Sequence, residues 1–243
     1  MPHGTIAHHV YRSTVFSDNR DYYVYEPPGY DPNRREPYPV LYLLHPARGT
    51  AAGWFEAGAA HLMLDNLISQ RKAKPMLVVT PLSYGGNESF TTALLQEIIP
   101  QVQRDYRASD DRNARAIAGA SMGGAEALFA GLTHLDRFAY VASFSGAVAA
   151  FGTKDTTTVR LAPSDVARSW FPGLNETVNA RLRLLWVACG TSDPGIEANR
   201  QFKSWLTSRG VRFADIETPG AHTFLVFRRN LDTLLPLLFQ DAN

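Results

Sequence analysis

Residues 115–124 read RAIAGASMGG, and AEALFAGLTHL follows to residue 135. An apolar run, a serine with glycine two residues to either side, and then helical spacing give the order strand, tight turn, helix. In that order a G-x-S-x-G pentapeptide marks a nucleophile. The reason is steric. The turn is so tight that flanking side chains would collide, and glycine removes them. Ser121 is then held strained, with its hydroxyl exposed at the end of a sheet, and the helix start offers N–H donors and a positive dipole end to developing negative charge.

Working outward, other apolar runs repeat the pattern: VLYLLH (40–45), MLVVTP (76–81), YVASFS (140–145), RLLWVACG (183–190) and VRFADIE (211–217). Near-continuous hydrophobicity suits strands buried on both faces of a mostly parallel sheet. HHVYRSTVF and DYYVYEPPGYD alternate more and suit antiparallel strands at one edge. Helical spacing lies between the runs, at HLMLDNLISQR, SFTTALLQEIIPQVQRDY, GAEALFAGLTHL, EANRQFKSWLTSRG and FLVFRRNLDTLLPLLF, with Pro100 predicting a kink or break in the second. The fold class is α/β, with helices on both faces of the sheet. One domain covers 1–243, and the weakly periodic segment 146–180 reads as a lid or binding segment.

Composition narrows the partners. In 243 residues with a formal net charge of +1 and 19% charged residues, nothing suggests disorder or a nucleic-acid footprint. The single cysteine, Cys189, excludes an intrachain disulfide or a cysteine-rich metal site and reads as a buried strand residue. No run approaches the ~18 apolar residues of a membrane span. The opening MPHGTIAHHVY lacks the basic and apolar sections of a secretory signal, which leaves a cytoplasmic chain or one whose signal has been removed. A small or neutral molecule is the expected partner.

A serine nucleophile needs a base and an acid. His222 in PGAHTF lies after the motif, on a loop between the last strand and the last helix, where its imidazole could take the serine proton. Asp193 in CGTSDPGIE follows a buried run and can hold the imidazole tautomer, although an aspartate before Pro-Gly is also a good turn or cap residue. Glu197 and Asp215 are weaker rivals. For the oxyanion, one N–H should come from Met122 and the other from the loop His45-Pro46-Ala47-Arg48. Pro46 has no N–H, so Ala47 is the second donor.

In order along the chain, EPPGYDP, YPVLYLLH, GWFE, DNLI, KPMLVVTP, ARAIAGASMGG, RFAY, CGTSD and GAHTF resemble the esterase D-like branch of the α/β-hydrolases, specifically bacterial feruloyl and acetyl-xylan esterase domains. The resemblance covers nearly the whole chain apart from 146–180. It implies an α/β-hydrolase fold and a serine, aspartate and histidine triad that hydrolyses esters on plant cell-wall polysaccharide. By motif position the triad falls on Ser121, Asp193 and His222, with no metal and no cofactor. Family members usually carry glycine where this chain has Pro46, which puts the shape of the oxyanion loop in question. The cell-wall members are generally secreted, which favours a secreted or periplasmic protein over a cytoplasmic one.

Trp54, Tyr84, Phe90, Trp170 and Phe224 are the aromatic candidates for binding a feruloyl ring. Phe55 and Phe171 adjoin two of them, and Arg48 could meet an anionic group. Acetyl-xylan esterase activity, thioester or siderophore ester cleavage, acyl transfer, and a non-catalytic carbohydrate-binding domain stand as alternatives. Nothing in the sequence fixes the oligomeric state.

Overall fold

The computed structural model describes residues 2–146 and 162–240. Eight strands form one sheet: β1 (Thr5–Arg12), β2 (Asn19–Glu26), β3 (Val40–Leu44), β4 (Leu77–Pro81), β5 (Arg115–Ala120), β6 (Tyr140–Phe144), β7 (Leu184–Gly190) and β8 (Ala214–Thr218). Their spatial order is β1-β2-β4-β3-β5-β6-β7-β8. β1 pairs antiparallel with β2 and β2 antiparallel with β4, while every pairing from β4 to β8 is parallel. This is the sheet expected from the sequence, with its antiparallel amino-terminal edge.

The helices are α1 (Gly53–Glu56), α2 (Ala60–Ser69), α3 (Asn87–Ala93), α4 (Ile99–Asp105), α5 (Met122–Thr133), α6 (Pro163–Trp170), α7 (Ile196–Ser208) and α8 (Phe224–Leu234). They cover both faces. Along β3, Val40, Tyr42 and Leu44 join the core under α3 to α7, and Leu41 and Leu43 join the core under α1, α2 and α8. Alternate residues thus enter different cores, which is why the strand reads as an unbroken apolar run.

Three expectations change in detail. The chain from Asn87 to Asp105 does not break at Pro100. A wide π-helical turn at Leu94–Ile98 joins α3 to α4, and Pro100 falls in the first turn of α4, where its missing N–H costs least. β8 begins at Ala214 rather than Val211. In the segment expected to be a lid, α6 and a 3₁₀ turn at Glu176–Ala180 bury Val166, Ala167, Phe171, Leu174 and Val178 in the core, so this part is packed structure. The rest of the expected lid, 147–161, lies outside the described residues.

Candidate active site

Ser121 stands between β5 and α5 at φ +54° and ψ −116°, a conformation that costs a non-glycine residue about 1–3 kcal/mol. Its glycines explain how the turn closes. A Cβ on Gly119 would lie 2.3 Å from the Gly123 carbonyl oxygen, and one on Gly123 would lie 2.6 Å from the carbonyl oxygens of Leu44 and His45. The elbow therefore presses directly on the end of β3. The Ser121 N–H donates to the Phe144 carbonyl at 2.9 Å, which ties it to β6 as well. Met122 is the first residue of α5, so its N–H has no intrahelical acceptor.

Asp193 follows β7 and is 3% exposed. Its Oδ1 accepts from the Gly195 N–H at 2.7 Å, and its Oδ2 accepts from His222 Nδ1 at 2.7 Å. Burial alone would raise this carboxyl. The bonds from His222 and Gly195 outweigh burial and hold it below the ordinary carboxylate range, so it is ionised across the neutral range. The Ser145 hydroxyl faces the same carboxylate and adds to the lowering, although its oxygen makes no hydrogen bond of good geometry among the described residues. With Nδ1–H committed to the carboxylate, His222 keeps its Nε2 lone pair free to accept a proton.

His222 belongs to the loop after the edge strand β8, so its chain must come back over the sheet. It does so across β7. The Ser192 N–H donates to the Gly220 carbonyl at 2.9 Å, and a Cβ on Gly190 would lie 2.5 Å from that oxygen. Beyond the histidine, the Phe224 ring meets Trp54 at 5.5 Å, and Trp54 meets Phe144 at 6.1 Å. Trp54 Nε1 also donates to the Leu44 carbonyl at 2.8 Å. The histidine loop thus reaches from β8 to the same strand ends, β3 and β6, that hold Ser121. The rival carboxylates stand elsewhere, since Asp215 pairs with Lys203 at 2.5 Å and Glu197 is exposed on α7.

The loop after β3 makes a tight turn in which the Gly49 N–H donates to the Pro46 carbonyl at 3.0 Å. Ala47 is exposed, and its N–H has no partner among the described residues. Arg48 is held at φ +63°. Its side chain makes no ion pair among the described residues.

The five aromatics part company. Trp54 and Phe90 are 0% exposed and offer no surface to a ligand, because one is pinned by its indole N–H and the other faces the core under α3. Trp170 packs against Phe129 on α5, about 10 Å along the helix from its start. Tyr84 and Phe224 are half-buried and lie at the edge of the sheet that carries Ser121 and His222. The Tyr84 hydroxyl donates to the Gly49 carbonyl at 3.1 Å, which links its loop to the loop after β3. Phe55 is buried with Trp54. A cleft of about 300 Å³ lined by Arg183, Arg212 and Phe213 opens at the amino ends of β7 and β8, remote from this chemistry.

Two polar residues near the site were not singled out from the sequence, His45 and Glu126. Glu126 sits on α5 behind the elbow, 2% exposed, with Oε2 lacking any partner among the described residues. Burial pushes its carboxyl up to about 8, against the pull of the Ser83 hydroxyl and Arg20. An acid raised in the folded state binds more protons there than when unfolded, so it weakens folding as pH climbs from the unfolded value, near 4.5, to about 8. Glu126→Gln is therefore expected to match the wild type near pH 4.5 and to exceed it by on the order of 5 kcal/mol at pH 9, as read by urea unfolding across that range. A gap that stayed constant with pH would assign the effect to packing instead.

A mostly parallel sheet that carries a serine, an aspartate and a histidine after β5, β7 and β8, with helices on both faces, is the α/β-hydrolase fold. The chain belongs to the family described as "Putative esterase", whose sequence profile matches residues 13–238. A curated relative from Xylanibacter ruminicola, an endo-1,4-beta-xylanase/feruloyl esterase, is 29% identical over 98% of this chain and 32% of its own length. Endo-1,4-beta-xylanase Y of Acetivibrio thermocellus is 32% identical over 51% of this chain and 12% of its own. The chain therefore spans a third or less of these relatives. Among solved structures, a ferulic acid esterase aligns with TM-score 0.84 at 26% identity, covering 99% of this chain and 100% of that one. A ferulic acid esterase from Anaeromyces mucronatus, solved with ferulic acid, has the same fold at TM-score 0.83 and 22% identity over 98% of this chain and 92% of that one.

Proposed function

We propose that the chain is a serine carboxylesterase that removes hydroxycinnamoyl groups, feruloyl above all, from the xylan of plant cell walls. The observation that carries the reading is the 2.7 Å bond between His222 Nδ1 and a buried Asp193, on the strand edge where Ser121 is held strained. The hydroxycinnamoyl preference draws on the relatives whose names include feruloyl or ferulic acid esterase.

In this mechanism Ser121 Oγ attacks the ester carbonyl carbon and His222 Nε2 takes the hydroxyl proton. The tetrahedral oxyanion accepts from the Met122 and Ala47 N–H groups. As the bond to the sugar oxygen breaks, His222 hands its proton to that oxygen, which leaves an acyl-serine. Water then attacks the acyl carbon, loses a proton to His222 and releases the acid as Ser121 recovers its proton. Tyr84 and Phe224 flank the acyl ring. Action on a cell-wall polymer places the protein outside the cell that makes it.

The burial of Trp54 and Phe90 favours one second reading, a small acyl pocket with acetylated xylan as substrate. Methyl ferulate and p-nitrophenyl acetate, assayed together with feruloylated and acetylated xylan, separate the two. Ferulate release from polymer and methyl ester, with little acetate release from xylan, is the expected result. Acetate release alone assigns the small-acyl activity. Release of neither acid would overturn the esterase reading in favour of a binding domain.

A further inference from the structure

The oxyanion loop carries a buried histidine that the mechanism does not use. His45 ends the run of β3 and is 1% exposed. Its Nε2 receives a hydrogen bond from the Ser83 backbone N–H at 3.1 Å, and its Nδ1 lies 2.8 Å from the Pro46 carbonyl oxygen. A backbone N–H can only donate, and a carbonyl can only accept. The ring is therefore neutral, with its proton on Nδ1. Burial lowers its affinity for a second proton, against the pull of the Pro46 carbonyl, and so preserves that form.

The Pro46 carbonyl and the Ala47 N–H are two ends of one planar peptide unit, which is trans. In such a unit the two bonds point in opposite directions, so anchoring the oxygen aims the N–H. Two donors hold that oxygen, His45 Nδ1–H and the Gly49 N–H at 3.0 Å. Turning the peptide plane would break both bonds, and proline's ring fixes the φ on its amino side. A carbonyl that accepts two hydrogen bonds also polarises its own amide, which makes Ala47 a stronger donor. The histidine is anchored in turn. Arg20 Nη1 donates to the Tyr84 carbonyl at 2.5 Å, and its guanidinium lies over the Phe16 ring, which fixes the loop from which Ser83 reaches His45. Gly85, at φ +130°, has no room for a Cβ against Phe16.

We propose that His45 is a positioning residue that aims the Ala47 N–H at the oxyanion through the Pro46–Ala47 peptide. The proposal rests on the esterase reading above. It also gives Pro46 a purpose: a residue that removes one donor from the loop stiffens the peptide that presents the next.

The test compares wild type, His45→Ala and His45→Asn in kcat and KM on one aryl ester and in affinity for a trifluoromethyl ketone, which Ser121 converts to a tetrahedral oxyanion. Loss of one aimed donor is expected to lower kcat on the order of 10²-fold to 10³-fold, with KM within about twofold and ketone affinity falling in step. Asparagine can set an amide N–H near the Nδ1 position and should recover part of the loss. Full kcat in His45→Ala, or a loss confined to KM with ketone affinity intact, would overturn the proposal. If the variants do not fold, nitrogen NMR of the wild-type imidazole decides: at mildly alkaline pH His45 should carry its proton on Nδ1, and a ring that carries it on Nε2 refutes the role. A wild type that neither cleaves esters nor captures the ketone would overturn the esterase reading itself, a result distinct from either.

Discussion

Ser121→Ala is expected to remove ester hydrolysis, with kcat falling on the order of 10⁵-fold to 10⁶-fold while the protein stays folded. The size follows from what is lost. Without Oγ there is no acyl-enzyme, and His222 and the two N–H donors can act only on direct attack by water. Folding is spared because the hydroxyl makes no hydrogen bond to the protein among the described residues. Glycine at the same position separates catalysis from strain. At φ +54° the serine backbone is held against its preference, and alanine inherits that cost. Ser121→Gly should lose activity equally but melt higher than Ser121→Ala, by about 1 kcal/mol or roughly 2–4 °C in a chain of this size. Thermal unfolding of both variants beside turnover of an aryl acetate reads the two effects. Activity retained by either variant would place the nucleophile elsewhere.

The elbow was legible because its glycines are steric necessities, and steric necessity leaves a mark in sequence. The parallel strands were legible for a related reason, since residues that enter two cores alternately cannot alternate in polarity. β8 was placed early because, at the edge of the sheet, its half-exposed pattern resembles the loop before it. The short helices α1 and α6 carry too few turns for periodicity to declare them. Aromatic type could not separate core from pocket: whether Trp54 lines a cavity or fills the core depends on the Leu44 carbonyl that captures its indole, a contact between residues ten positions apart. Glu126 read as an ordinary helix charge. The available signal was its company, for a helix composed as MGGAEALFAGLT is apolar on every side, and a charge within such a helix is buried. His45 left no comparable trace, because its role depends on two loops meeting in space.

Asp193→Asn is expected to lower kcat on the order of 10⁴-fold with little change in stability. The asparagine Oδ1 can still accept from the Gly195 N–H, so the loop after β7 keeps its closure. The change falls on the other atom. An amide NH₂ in place of Oδ2 donates where the carboxylate accepted, and His222 Nδ1 must then become the acceptor. That moves the ring proton to Nε2, the atom that has to take the serine proton, and leaves the imidazolium without its counter-charge. Asp193→Ala removes the counter-charge without forcing the wrong tautomer, but it also strips the Gly195 N–H of its acceptor. It should therefore lose stability where Asp193→Asn does not. Turnover and urea unfolding of the two variants distinguish a carboxylate that tunes the histidine from one that merely caps a turn. Asp193→Asn with near wild-type turnover would leave only the cap, and would send the search for the acid back to Glu197.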